Sequence, residues 1–512
     1  MNGKRWIGPV VGLVVLIAAA LVVVLCLGGR RRPPEDTDRS LDDEAAPRRE
    51  ARPPAVAGAF YPESPDELKA AIKTYLDAAT PTGLTRVRGL VAPHAGYVFS
   101  GPTAGYGFRT LEAHRYKTVI VMGPTHRYPL RGASIPNVAG YTTPLGTVPL
   151  SPLADTLRKN RAFTDVPEAH KAEHSIEVEL PFLQTVLGEF EFVPILIGEA
   201  DADEIAAAIL EHLDDETLIV ASSDLSHYLP YETANEIDAF TVRTIAEADA
   251  DLLQLCEACG KLPVAVLLRI AREKGWHPHV LDARNSGDTA GEKRQVVGYC
   301  SVAFTEKDEP FIPPEHSRDL LDEDEQQTLL ELARASLEAA VKREEPPAPD
   351  ESELSEKLRR PGGAFVTLME HGELRGCIGH ILPYDPLYRS VIKNAASAAR
   401  RDPRFPPVTK AELDMIHVEV SVLSVPKLLE ASSSKQLLEK LTPGKDGVYL
   451  VVGPRSSTYL PQVWEQLPDK IEFLSRLSQK AGLRADAWKS PSARIFIYHA
   501  QVFEEERDQP TE

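Results

Sequence analysis

Cysteine is scarce: the 512 residues hold five. None of them is spaced as a disulfide framework, which excludes a disulfide-stapled fold and agrees with a reducing compartment. Basic charge is also in deficit, with 57 Lys+Arg against 76 Asp+Glu for a formal net charge of -19. Such a chain lacks the field that draws in phosphate, so no nucleic acid is expected as a partner. There is no Walker loop, no G-x-G-x-x-G after a strand and no radical-SAM three-cysteine motif, so the chain is not itself a radical enzyme. Internal repeats are absent too.

What is present begins with an uncharged apolar run, residues 6–27, long enough to cross a bilayer as a helix. A cleaved signal peptide fits less well, because the run is long and no small-x-small site closes it. Arg30, Arg31 and Arg32 outweigh Lys4 and Arg5, which places the body on the cytoplasmic side of a single-pass membrane protein. The expected organisation is an anchor over 1–29, a disordered linker over 30–53, a first domain over 54–306, a linker over 307–318 and a second domain over 319–507. In the first domain, strand-like runs alternate with amphipathic helical ones, the pattern of an α/β unit with a mainly parallel sheet. Residues 235–258 read as one helix. In the second, Asp322 with Glu325 resembles a capping box, and strands at 364–369, 416–423, 447–452 and 493–498 between helices indicate an α+β unit.

Three runs, LVAPHAGY (Leu90–Tyr97), VIVMGPTH (Val119–His126) and LIVASSDLSHY (Leu218–Tyr228), share one design. Each is an apolar strand followed by a turn that delivers a histidine. Parallel sheets collect reactive groups at the carboxyl ends of their strands, so His94, His126 and His227 are expected to meet there. Taken singly, each would pass for an ordinary hydrogen-bonded loop histidine. Cys259 adds a thiol between two helical stretches. Two imidazoles and a thiolate can hold Fe(II), Cu or Zn, and the donor set alone does not choose. Cys256 and Cys259 also form a C-x-x-C, but without a second such pair a zinc knuckle is excluded and a redox pair is the lesser reading.

PHAGYVFSGPTA, GPTHRY, EHSIEVELPFLQ, SSDLSHY, CGKLPVAVLL and NSGDTAG followed by VVGYCSVAF resemble, in order, the Memo family, or AmmeMemoRadiSam system protein B. That resemblance implies a fold like the class III extradiol dioxygenases. It also implies metal ligands at His94, His126 and Cys259, an acid/base histidine at His227, and Asp224 and His174 lining the same cleft. Cys259 stands where a dioxygenase would supply a carboxylate; a thiolate is softer and favours Fe(II) or Cu(I), with Fe(II) first. Asp224 could orient His227, or act as a helix N-cap.

LRGCIGHI, NAASAARRDPRFPPVT, VEVSVLSVP and TYLPQVW resemble the AMMECR family, AmmeMemoRadiSam system protein A. The resemblance implies a joint role with a radical-SAM protein of the same system. Arg375 beside Cys377 could lower the thiol pKa and leave it nucleophilic; the alternative is a tight structural turn with a small buried thiol. Arg400, Arg401 and Arg404 with Asp402 read as a solvated helix end before an anion site. The leading functional expectation is a membrane-anchored non-haem metalloprotein acting in redox or modification chemistry. A non-catalytic scaffold for a peptide or small ligand and a metal-assisted hydrolase are the alternatives.

Overall fold

Three apolar runs dictate the centre of the first domain. Strands β1 (Val87–Ala92), β2 (Thr118–Pro124) and β8 (Thr217–Ser222) are buried along almost their whole length, as strands covered on both faces must be. Successive side chains feed opposite sides. Ile120, Met122, Ile219 and Ala221 enter one core, while Val119, Val121, Leu218 and Val220 enter the other. Helices Pro65–Ala78 and Tyr97–Arg109 cover the second core, and Ala202–Leu210 with Lys261–Lys274 the first.

The computed structural model describes residues 49–112, 114–313, 320–453 and 455–506. The remaining strands of the first domain are β3 (Ala133–Ser134), β4 (Gly140–Thr143), β5 (Gly146–Pro149), β6 (Phe163–Thr164), β7 (Glu191–Ile197), β9 (His227–Leu229), β10 (His277–Asn285) and β11 (Val296–Thr305). The sheet runs β10-β11-β1-β8-β2-β7-β3-β6, with β9 on β11 and β4–β5 as a separate hairpin. Pairings β1–β8, β8–β2 and β2–β7 are parallel, whereas β10–β11 and β11–β1 are antiparallel. The sheet is thus parallel at its centre, with antiparallel pairings on both sides, β10–β11–β1 on one and β7–β3 on the other.

The second domain holds two antiparallel four-stranded sheets: β13-β12-β14-β19 and β15-β18-β16-β17. Their strands are β12 (Gly363–Glu370), β13 (Glu373–His380), β14 (Ile416–Leu423), β15 (Lys427–Leu428), β16 (Gly447–Val452), β17 (Arg455–Tyr459), β18 (Ala493–Tyr498) and β19 (Ala500–Glu504). Helices Glu323–Lys342 and Leu387–Arg400 pack on the first of these sheets through Leu330, Ala333, Leu337, Val391 and Ala395. The Asp322/Glu325 capping box closes as the sequence indicates, with both reciprocal bonds made.

Several expectations need correction. The anchor expected over 1–29 lies outside the described residues, and among these no helix is long and apolar enough to cross a membrane. The longest, Glu323–Lys342, carries charge around an apolar stripe and spends that stripe on its own sheet. The membrane-spanning part of the expected fold class and the single-pass localisation are therefore not supported. Residues 235–258 are not one helix. Helix Tyr231–Ala246 stops where Ala248 takes φ 53, and the Asp249 carboxylate then accepts from the N–H groups of Asp251 and Leu252 to start the short turn Leu252–Leu255. Arg52, expected in a disordered linker, is buried. Finally, Arg375–Gly379 is not a turn but the middle of β13. The hairpin turns earlier, at His371 and Gly372, both at positive φ. Gly376 and Gly379 serve close approach instead: a Cβ would sit 2.6 Å from the Ala398 carbonyl oxygen at one and 2.4 Å from the Ala364 carbonyl oxygen at the other.

Candidate metal centre

The adjacent strands β1, β8 and β2 release their chains into one crevice. His94 follows β1 by two residues, His126 follows β2 by two, and Ser222 ends β8. The third imidazole, His174, comes from the segment between helix Pro167–Lys171 and the turn at Glu177–Glu179. One ligand atom from each of His94, His126 and His174 lies within 4.8 Å of the others. The ring centroids are 5.1, 5.5 and 4.7 Å apart for the pairs 94–126, 94–174 and 126–174.

Two of the rings are held from behind. His94 Nδ1 is 2.7 Å from Ser222 Oγ, which donates its one proton to the Ser175 carbonyl at 2.7 Å. Ser222 Oγ is therefore an acceptor toward the ring, which fixes Nδ1–H and leaves the Nε2 lone pair forward. Glu179 Oε1 lies 2.6 Å from the same oxygen. Complete burial raises the Glu179 carboxyl well above its ordinary value. His126 Nδ1 is 2.9 Å from Glu173 Oε1, which likewise turns its Nε2 forward. Glu173 also accepts from the backbone N–H of His126, His174 and Ser175. Burial alone would raise this carboxyl, but the His126 and Ser175 bonds outweigh it and hold it well below the carboxylate range. His174 Nδ1 is buried 3.3 Å from Glu173 Oε1 with no hydrogen-bond partner.

Burial pushes the His94 imidazole well below its ordinary pKa, with His126 and His174 adding to the shift. Burial likewise takes His174 down to about 4. Both rings are neutral at pH 7, the state a metal ligand needs. An orphaned buried nitrogen, forward-facing lone pairs and a carboxylate behind one ring together fit a metal ion.

The other expected residues are placed as follows. Cys259 Sγ is 3.3 Å from His94 Nε2 but falls outside the group that the three imidazoles form. Burial, then the Asp224 charge, raises its thiol pKa strongly. It sits in a loop rather than at a helix end, tied by Cys259 N–H to the Asp224 carbonyl at 3.2 Å. Asp224 is buried, and burial lifts its carboxyl to about 7. Its Oδ1 accepts from the N–H of His94 and of Ala95, so it neither caps a helix nor orients His227. His227 Nδ1 is instead bound by the Leu225 carbonyl at 2.8 Å, and burial lowers its pKa. His227 acts electrostatically on His94, and His126 acts in the same way on His227, but it is not one of the three grouped rings.

Glu173, Ser222 and Glu179 were not anticipated. Glu173 had a visible signal, an acid directly before His174. The clamp behind it also involves Arg52. Its Nε donates to the His170 carbonyl at 2.7 Å, its Nη2 to the Glu173 carbonyl at 2.5 Å and its Nη1 to Glu177 at 2.7 Å. Glu177 further accepts from Tyr61 Oη and from the N–H of Ala55 and Val56. Phe60 lies edge-on to His174 at 4.7 Å.

In the second domain, Arg375 does not face the thiol. Its Nε donates to Glu412 at 2.7 Å and its Nη1 to the Pro406 carbonyl at 2.9 Å. Burial raises the Cys377 thiol pKa, and Thr367 Oγ1 donates to its sulfur at 3.4 Å. Arg404 pairs with Asp402, whose carboxylate accepts from Cys377 N–H, so this cluster braces the strand.

Comparison with known proteins follows the same division. A Memo-like protein family model matches residues 52–303, and the AMMECR1 model matches residues 330–503. A MEMO1 family protein of Methanopyrus kandleri is 37% identical over 278 residues, covering 49% of this chain and 98% of that relative. One of Thermoplasma acidophilum is 34% identical over 263 residues, covering 49% and 97%. Among solved structures, an uncharacterized protein from Pyrococcus horikoshii is 36% identical, with a TM-score of 0.34 over 36% of this chain and 94% of that one. By the extent and identity of these matches, the chain belongs to the MEMO1 family and carries an AMMECR1 domain behind its Memo-like one.

Proposed function

We propose that the Memo-like domain is a non-haem metal centre in which His94, His126 and His174 hold an iron or copper ion, with the Cys259 thiol beside it. The observation that carries this is the convergence of three imidazoles, two of which, His94 and His174, burial holds neutral, with His174 Nδ1 buried and without a hydrogen bond. A bound ion would supply a Lewis-acidic, redox-active centre in an extradiol-dioxygenase-like crevice. Around it, Glu173 and Ser222 keep two rings in the ligating tautomer, and Asp224 fixes the loop that carries His94. His227, its Nδ1–H engaged by the Leu225 carbonyl, keeps Nε2 as an acceptor for a substrate proton. The fusion to an AMMECR1 domain favours redox or modification chemistry shared with a radical-SAM protein of the same system.

The test is the metal content of the full chain purified without oxygen, beside His94→Ala, His174→Ala and Cys259→Ala. Near-stoichiometric iron or copper in the wild type, lost in both histidine variants, is the expected result. Metal retained in His174→Ala but lost in Cys259→Ala would replace the three-histidine set by His94, His126 and Cys259. No metal in the wild type, even after anaerobic reconstitution, would leave a binding scaffold.

A further inference from the structure

The loop that brings Cys259 to His94 has a second side. Its near end is fixed in the crevice by Cys259 N–H to the Asp224 carbonyl at 3.2 Å and by Gly260 N–H to Ser223 Oγ at 3.0 Å. Its far end, Leu252 to Cys256, is buried in a core that also contains Leu382 and Phe496 of the AMMECR1 domain. Tyr384, Val425, Leu428 and Tyr449 pack on the same core from that domain. The Tyr384 ring stands perpendicular to Phe240 at 5.7 Å. Arg243 Nη2 donates to the Pro383 carbonyl at 2.8 Å. Lys393 bridges Asp385 at 2.9 Å and Glu236 across the domain boundary.

We infer that the AMMECR1 domain sets the position of the 252–260 loop, and through it the approach of the Cys259 thiol to the imidazole cluster, with Tyr384 as the positioning residue. The segment has little local structure to hold it, being one short turn followed by a loop with no strand pairing. Its order therefore depends on what covers it. Tyr384 packs on the core that holds Leu252 to Cys256 and stands against Phe240, one helical turn before Thr244, whose Oγ1 accepts from Cys256 Sγ at 3.5 Å. The thiol's role in metal binding belongs to the function proposed above, but the mechanical coupling does not require it.

Hydrogen–deuterium exchange on the full chain tests the coupling without metal. In Tyr384→Ala, amides of 252–260 should exchange at least about tenfold faster, as an easier local opening requires, with strands β1, β2 and β8 unchanged. Tyr384→Phe should keep wild-type protection, since it is the ring that stands against Phe240. If Tyr384→Ala does not fold, Arg243→Gln removes the bond to Pro383 and the guanidinium over the Phe240 ring, and should loosen the same segment by a smaller factor. Faster exchange confined to 380–386 in these variants would overturn the inference. In parallel, the rate of Cys259 alkylation should rise with the exchange. Absence of Co2+ binding by the wild type would count against the metal reading alone and leave the exchange result standing.

Discussion

Replacing Glu173 by glutamine isolates the group that orients His126. Glu173 Oε1 accepts from His126 Nδ1 at 2.9 Å, His174 N at 2.8 Å and Ser175 N at 3.0 Å, and Oε2 accepts from His126 N at 2.5 Å. A glutamine oxygen can serve the three donors on one side, which turns its own N–H toward the His126 amide. One buried donor then faces another, at a cost of about 1–3 kcal/mol. The bonds that survive lose their charge assistance. Removing the carboxylate behind a ligating imidazole lowers metal affinity by about 10–100-fold, which is about 1.4–2.8 kcal/mol. The assay is Co2+ competition against a chelator, read by absorbance, on the full chain and the Glu173→Gln variant, with thermal unfolding of both metal-free. Weaker binding together with a lower melting temperature is expected. The depressed Glu173 pKa adds a sign: its stabilisation is present above the ordinary carboxylate range and is lost as pH falls toward its folded value, so the wild type should lose more on acidification than the variant. A variant that melts lower but binds Co2+ as tightly as wild type would refute the orienting role and leave Glu173 a structural acceptor.

Three further outcomes follow from the same geometry. Asp224 has a folded pKa raised to about 7, so the folded state keeps a proton that the unfolded state releases. Metal-free Asp224→Asn should therefore gain stability relative to wild type as pH rises from about 4 toward 7, and a flat difference in denaturation midpoints over that window would contradict the assignment. In Gly123→Ala the new Cβ would sit 2.5 Å from Ser175 Oγ, pushing on the segment that carries Glu173 and His174; a loss of about 1–3 kcal/mol together with weakened Co2+ binding is expected in urea melts and titration. Arg375→Met should cost about 1–3 kcal/mol through the stranded Glu412 yet leave Cys377 alkylation as slow as in wild type; an altered alkylation rate would restore the link between guanidinium and thiol.

The sequence made the centre of the fold legible because β1, β2 and β8 are buried on both faces and read as unbroken apolar runs. It made His94 and His126 legible because each ends such a run at a turn. β10 was less legible, since His277–Asn285 mixes charge with apolar residues in a half-exposed strand. The break after Ala246 had no glycine or proline to mark it; a left-handed alanine and an aspartate cap do the work, and only tertiary packing selects them. β13 was obscured for the opposite reason. Gly376 and Gly379 look like turn residues but are there because the Ala398 and Ala364 carbonyls leave no room for a side chain. His174 joins the three-histidine group from a segment with no strand before it, so no strand-end pattern pointed to it, and only the family resemblance placed it in the cleft.

The guanidinium of Arg52 joins two things that sequence position keeps far apart. It reaches across to hold the peptide on which Glu173 and His174 are strung, and Glu173 in turn steers His126. Arg52 is thus part of the back wall of the three-histidine crevice. A protease cut between Arg52 and Ala55 would leave every strand of the large sheet in place and still untie two of the three imidazoles, so trimming the chain at that point is chemical surgery rather than tidying.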